Sequence, residues 1–182
     1  YEIIISDDVS TDGTAVIVAD YAVRYPKLIR NISKKINCGI SKNYRKLFSA
    51  ANGKYCAILE GDDFWTDPYK LQRQKNFLET NLDCSMVFNK ISFYECGKYK
   101  AVPQQERLKK NKLDAADMAK ESWNLILNFS CCMYRTNLVK SLPDILYWNR
   151  LSEIALSYYL ANYGFIGFIP QRLSAYRNNP KG

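Results

Sequence analysis

Hydrophobic and polar positions change period several times along the first eighty or so residues. Residues 2–6 form a short apolar run rich in β-branched side chains, the pattern of a buried strand, and residues 7–13 are a polar turn. A helix is predicted over 14–25, with Ser10 or Thr11 placed to cap it and Pro26 to end it. Residues 28–32 read as a second strand, 41–51 as a helix closed by Asn52-Gly53, and 54–59 as a third strand. Alternating strands and helices predict an α/β fold, a mostly parallel central sheet flanked by helices. Further on, the pattern predicts a helix over 69–80 and a strand over 84–94. A polar, Lys-rich loop follows over 97–121 with a helix near 113–120. The remainder reads as a strand over 130–134, a helix over 152–162 and strands over 165–169 and 173–177.

Composition narrows the chemistry. With 182 residues, 47% hydrophobic and 24% charged, the chain suits one globular domain. No apolar run approaches the ~18 residues of a membrane span. Histidine is absent, which removes Ser-His-Asp and Cys-His hydrolases and His-based zinc sites. Carboxylates, Lys, Tyr and Cys remain for acid–base work. Lys and Arg number 26 against 18 Asp and Glu, a formal charge of +8 that favours anionic partners. The six cysteines include no Cys-x-x-Cys pair and several lie among apolar residues, so reduced thiols in a cytoplasmic protein are expected. The first residues carry no initiator Met and no signal-peptide pattern, and the expectation is a piece of a longer protein.

Two acidic clusters fall at the carboxyl ends of predicted strands, where sheets of this class bind ligands. Asp7-Asp8 fits equally a turn-capping pair or a ligand's hydrogen-bond acceptors. Glu60-Gly61-Asp62-Asp63 is the stronger feature. Its crowded carboxylates repel one another unless a cation or solvent relieves them, and Mg²⁺ is typically held by one or two carboxylates plus substrate phosphates. A solvated acidic turn is the plain alternative.

Residues 2–14 (EIIISDDVSTDGT), Asn37-Cys38-Gly39, residues 53–74 (GKYCAILEGDDFWTDPYKLQRQ) and residues 162–177 (NYGFIGFIPQRLSAYR) together resemble family 2 glycosyltransferases of the GT-A fold. The resemblance implies a nucleotide-sugar donor, a UDP- or dTDP-sugar, and inversion at the anomeric carbon. It implies that Asp8 receives the uracil N–H and that Glu60 and Asp62 fill the two acidic positions of the Asp-x-Asp motif. Asp62 would then ligate Mg²⁺ or Mn²⁺, and Glu60 would contact ribose or a metal-bound water. Glu153 aligns with the catalytic base, and Arg177 could neutralise the diphosphate. Trp65 and Asp63 are possible sugar or acceptor contacts, Asp63 also a support for the motif, and Phe64 reads as core. The chain departs from the pattern with Glu at 60 and at 153 where relatives often have Asp, and with Asn179 where relatives often have a metal-binding His. By the resemblance it would also begin at the family's second strand.

The expectation is one catalytic domain over 1–182, with a donor half over 1–84 and an acceptor half over 85–182. It would transfer sugar to a glycan or lipid-linked acceptor in surface-polysaccharide synthesis, in the cytoplasm or at the inner face of an anionic membrane. The competing readings are a non-catalytic nucleotide- or sugar-binding module of the same fold, and a nucleic-acid binder using Lys98, Lys100, Lys109, Lys110 and Lys112. The last is expected to fail, the lysines being a solvated loop.

Overall fold

The computed structural model describes residues 1–120 and 125–178. In chain order the elements are β1 (Ile3–Ile5), α1 (Thr14–Arg24), β2 (Ile29–Asn31), α2 (Ile40–Ala50), β3 (Tyr55–Ala57), β4 (Phe64–Trp65), α3 (Lys70–Thr80) and β5 (Cys84–Glu95). Then come β6 (Lys98–Ala101), α4 (Pro103–Glu106), β7 (Lys112–Leu113), α5 (Ala115–Lys120), β8 (Cys132–Arg135), α6 (Thr136–Lys140), α7 (Glu153–Leu160) and β9 (Phe165–Arg177). Short 3₁₀ turns cover Phe129–Cys131, Asp144–Tyr147 and Ala161–Tyr163. Among the described residues no helix is long and apolar enough to cross a membrane. The chain packs as two compact units, residues 1–54 with 139–151, and residues 55–138 with 152–182.

In the first unit β1 and β2 pair in parallel, Ile3 opposite Ile29 and Ile5 opposite Asn31. Val18, Ile29, Tyr44, Phe48 and Ala51 are buried there, along with Val139, Leu142 and Leu151 from the later segment. Ser41 fastens that segment: its hydroxyl donates to the Asn149 carbonyl at 2.9 Å and accepts the Leu151 N–H at 2.8 Å. Helix α1 starts two residues after Asp12, whose carboxylate accepts the Thr14 N–H at 2.9 Å. Neither Ser10 nor Thr11 caps it, because Ser10 is taken up by Asp7.

The second unit is built on a mixed sheet ordered β3–β8–β5–β9–β4, with β6 on β5 and β7 on β9. Here the expected strand directions need correcting. Within this sheet β5 and β9 are parallel and the other pairs antiparallel, and β3 pairs with β8. The strand–helix alternation that argued for parallel pairing is confined to the first third of the chain; only β5 and β6 are joined by a tight turn, and the other antiparallel pairs bring together strands far apart in sequence, which no local pattern specifies. The α/β arrangement of a central sheet with flanking helices stands.

Three local differences have clear causes. Residues 98–101, read as loop, form a hairpin with β5 because Cys96 and Gly97 adopt φ of 47° and 78°, the two-residue turn whose twist suits a hairpin. Residues 165–177 are one strand rather than two, since register shifts opposite Asn89–Ile91 absorb Pro170 and Gln171 as a bulge. Strand β4 is only two residues long, too short for any periodicity, yet its pairing with Ser174 and Ala175 fixes where the acidic turn ends.

The sheet's core holds Leu78, Cys84, Val87, Met133, Ile169 and Leu173, with the Phe88 and Phe168 rings 4.9 Å apart elsewhere in the unit. Arg135 ties α3 to the sheet by donating to the carbonyls of Cys84, Leu78 and Asn81. Gly164 opens β9 at φ 147°, and a Cβ there would stand 2.4 Å from the Asp83 carbonyl oxygen. Gly164→Ala is therefore expected to destabilise the protein by about 2–4 kcal/mol in urea unfolding, with the slope unchanged.

Candidate active site

Asp7 and Asp8 point to different tasks. The Asp7 carboxylate accepts from the Ser10 N–H and hydroxyl, and its own N–H donates to Ser33 Oγ, so it organises the turn. The Asp8 carboxylate faces the loop at 37–39, accepting from the Cys38 N–H at 2.9 Å, the Cys38 thiol at 3.1 Å and the Gly39 N–H at 2.8 Å. Desolvation pushes Asp8 up, but the bonds from Cys38 and Gly39 and the charge of Lys46 outweigh it and hold the carboxyl below its ordinary value. Between these acids and the helix, Val9 sits at φ 71°, a region a β-branched residue avoids. Backbone strain of this kind concentrates where geometry serves a ligand. Asp8 belongs to the first unit.

The second acidic cluster lies in the other unit, between β3 and β4. Its turn is closed by the Asp63 N–H donating to the Glu60 carbonyl at 3.1 Å. Ser130 supports it from below. The Ser130 hydroxyl accepts the Glu60 N–H at 3.0 Å and donates to Asp63 Oδ2 at 2.7 Å. Asp63 Oδ1 accepts the Arg177 N–H at 3.0 Å. Asp63 is thus turned inward, 8% exposed, with both oxygens engaged. Burial pushes its carboxyl up, offset in part by the bonds from Ser130 and Arg177. Glu60 accepts from Asn128 Nδ2. Asp62 alone of the three stands exposed.

Arg177 closes the other side. Its Nε donates to the Asp62 carbonyl at 2.9 Å, and its guanidinium lies 5.3 Å from the Phe64 ring and 5.8 Å from the Tyr94 ring. Among the described residues it makes no ion pair, so its outer N–H groups are available beside Asp62. The Trp65 indole is engaged within the protein: Nε1–H donates to the Ser130 carbonyl at 3.0 Å and Lys70 Nζ stands 4.5 Å from the ring. Phe64 is half-buried rather than core, packing edge-on against Tyr94.

Glu153 opens α7, where Ser152 caps the helix by accepting the Ala155 N–H at 3.2 Å. Buried Tyr134 is held protonated well above the usual phenol range by desolvation and, to a lesser extent, by Cys132, Cys131 and Glu153. The structure therefore gathers Glu60, Asp62, Asp63, Trp65 and Arg177 around one turn, with Glu153 on a separate element of the same unit. Asn179 lies outside the described residues. Of the Lys-rich segment, Lys100 pairs with Glu95, Lys110 with Asp117 and Lys112 with Asp83, so most of the imagined phosphate-binding patch is already paired.

Sequence reasoning missed the support beneath the turn. Asn128 and Ser130 are polar positions inside an apolar stretch, and Lys70 and Gln74 share the i, i+4, i+8 stripe of α3 with buried Leu78. Lys70 Nζ donates to Gln74 Oε1 at 2.8 Å; Gln74 Nε2 donates to Asn89 Oδ1 at 3.1 Å and to the Cys131 carbonyl at 2.8 Å. Asn89 Nδ2 donates to Ser174 Oγ at 3.2 Å, and Ser174 donates to the Ser130 carbonyl at 3.1 Å.

Among the described residues no group of three or more His, Cys, Asp or Glu side chains forms a closed metal cage. One exposed carboxylate beside a cationic side chain does suit a divalent ion that arrives with phosphate ligands.

Comparison with known proteins places these features in context. The sequence profile described as Glycosyl transferase family 2 matches residues 1–142. Uncharacterized protein Rv1520 of Mycobacterium tuberculosis is 44% identical over 97 residues, 53% of this chain and 28% of that one. Two Bacillus subtilis proteins follow: the putative glycosyltransferase EpsE, 39% identical over 48% of this chain and 31% of its own, and the putative teichuronic acid biosynthesis glycosyltransferase TuaG, 36% identical over 50% and 35%. The matches thus span about a third of these relatives' length. Among solved structures, S. aureus TarS 1–349 superposes with a TM-score of 0.71 at 17% identity, over 97% of this chain and 51% of that one. The mannosyltransferase PcManGT of Pyrobaculum calidifontis, in complex with GDP-Man and Mn²⁺, gives 0.70 at 14% identity, over 100% and 49%. At such identities the likeness bears on the fold, which is the GT-A arrangement anticipated.

Two outcomes are expected. Asp63→Ala leaves the Ser130 hydroxyl and the Arg177 N–H without their acceptor and costs about 1–3 kcal/mol in urea unfolding. Burial also depresses Lys70 from 10.5 to about 8, so the unfolded chain binds more protons than the folded one between those values. Stability from this group therefore rises with pH through that window, and is absent below it. Unfolding of the wild type and Lys70→Met at a series of pH values should show the balance moving toward the wild type by roughly 2–3 kcal/mol across the window.

Proposed function

Because the chain belongs to glycosyl transferase family 2, we propose that it moves a sugar from a nucleoside-diphosphate donor to a hydroxyl of a glycan or lipid-linked acceptor, with inversion, in surface-polysaccharide synthesis. A UDP-sugar is the donor this reading favours. The carrying observation is the asymmetry of the acidic turn: Asp63 and Glu60 are held by the protein, while Asp62 is left exposed beside the Arg177 guanidinium. A guanidinium with N–H groups to spare next to an exposed carboxylate suits a diphosphate accompanied by a metal ion.

In this reading Arg177 directs its free N–H groups at the leaving diphosphate, and its own orientation is fixed by Asp62, Phe64 and Tyr94. A Mg²⁺ or Mn²⁺ held by Asp62 and the donor's phosphates would supply further neutralisation of the leaving group. Asp8, ionised and with lone pairs to spare, accepts the N–H of the base. Glu60 reaches ribose or a metal-bound water. Glu153 takes the proton from the acceptor hydroxyl as that oxygen attacks the anomeric carbon and the sugar–phosphate bond breaks. Asp63 acts here as a support of the turn, since both its oxygens are already engaged, and Trp65, its N–H held by Ser130, would meet sugar or acceptor through its ring. The relative named for teichuronic acid biosynthesis and the neighbour binding GDP-Man and Mn²⁺ support the substrate class and the metal. The 26 basic against 18 acidic residues favour work at an anionic membrane face, where lipid-linked acceptors sit, and cysteines set among apolar residues fit a cytoplasmic protein.

Calorimetric titration of the full natural protein with UDP, dTDP and GDP tests the reading, with and without Mn²⁺. Manganese-dependent UDP binding that Asp62→Ala abolishes is expected; absence of binding by any nucleotide contradicts the donor site, and preference for GDP reassigns the donor. Glu153→Gln should bind UDP as the wild type does while transfer slows by about 10²-fold or more. An unchanged transfer rate removes Glu153 as the base.

A further inference from the structure

Lys70 is the first residue of α3, and its side chain is wholly buried. The ammonium has one neutral amide oxygen at 2.8 Å and the face of Trp65 at 4.5 Å, and no carboxylate pairs with it among the described residues. A buried charge without a counter-ion costs folding free energy, and an apolar side chain of similar length is commonly the cheaper occupant. What Lys70 touches indicates what that cost sustains. Gln74, oriented by the ammonium, holds the Cys131 carbonyl, and Trp65, under the ammonium, holds the Ser130 carbonyl. Both routes end at the short 3₁₀ turn Phe129–Cys131 that carries the Ser130 hydroxyl. That hydroxyl is the bridge between the Glu60 N–H and the Asp63 carboxylate.

We propose that Lys70 is a positioning residue for the donor site: through Gln74 and Trp65 it fixes Ser130, and through Ser130 it holds the turn at residues 60–63 in the shape that receives the donor diphosphate. The proposal rests on the reading of that turn as the donor site. It touches neither sugar nor phosphate and takes no part in proton transfer. A residue serving stability alone weakens the fold when replaced; replacing Lys70 is expected to spare stability and to weaken donor binding, so the two readouts separate the roles.

Lys70→Met in the full natural protein tests this. At neutral pH its unfolding midpoint should equal or exceed that of the wild type. Its affinity for UDP with Mn²⁺ should fall roughly ten- to a hundredfold, as expected for misplacement of a binding group. The Glu60 and Arg177 amides should exchange with solvent about tenfold faster or more, read by NMR without nucleotide. Ser130→Ala should reproduce both losses, and the double variant should add little to either single one. Wild-type affinity and exchange in Lys70→Met overturn the proposal, as does a fall in stability large enough to account for the whole loss. If the wild type binds no nucleotide, the donor reading fails by itself, and amide exchange still decides whether Lys70 orders the turn. Should Lys70→Met not fold, Trp65→Phe reads the same link from the other end: it keeps the ring and removes the indole donor. Unchanged exchange at Glu60 and Arg177 in that variant then overturns the proposal.

Discussion

The Ser130 hydroxyl takes a proton-donating contact from the Glu60 amide and gives one to the Asp63 carboxylate. A hydroxyl can do both at once, and no apolar or purely acceptor side chain could replace it in that position. The two bonds join the start of the acidic turn to its end. The Arg177 N–H on the other Asp63 oxygen then joins the turn to the end of β9. Removing any one partner strands a buried polar group, at about 1–3 kcal/mol each. The arrangement is cooperative, because a polar network in a low-dielectric interior stabilises only when every member is satisfied.

This constraint explains why three neighbouring acids behave differently. Asp63 is desolvated and carries the structural load, and burial pushes its carboxyl upward. Glu60 is steadied by Asn128, which also accepts the Ser130 N–H. Asp62 contributes only its backbone carbonyl, to Arg177 Nε, and its carboxylate faces solvent. Fixing two acids to free a third beside a guanidinium is how this fold can present a rigid charged site on a short loop. Rigidity matters because a binding site loses affinity when its own groups must first be ordered. The β5–β9 bulge opposite Asn89–Ile91 lies beside the same network, with Asn89 bound to Gln74 and Ser174.

Much of this was legible in the sequence where the signal is local. Apolar runs and turn residues located β1, α1, β2, α2, β3 and α3 to within a residue or two, and the order of acidic motifs led to the family and the GT-A fold. Strand direction was not legible, since β8 and β9 choose partners distant in sequence and only tertiary packing selects them. The hairpin at Cys96-Gly97 was missed because Cys is an unusual occupant of a left-handed turn position. At the site, the exposed acids could be found from charge alone. Their supports could not: Ser130 and Asn128 look like interruptions of an apolar strand, and Lys70 and Gln74 look like the polar face of an amphipathic helix. They are instead its buried face.

The most direct test of the central claim is where a manganese ion settles when UDP is present. Paramagnetic broadening of the assigned amide resonances of the full natural protein reads this without presupposing catalysis. The account predicts that UDP with Mn²⁺ erases signals of residues 60–63 and 177 first, with little effect of Mn²⁺ alone. Broadening centred on other carboxylates, such as Glu106 or Asp117, with the turn untouched would contradict it.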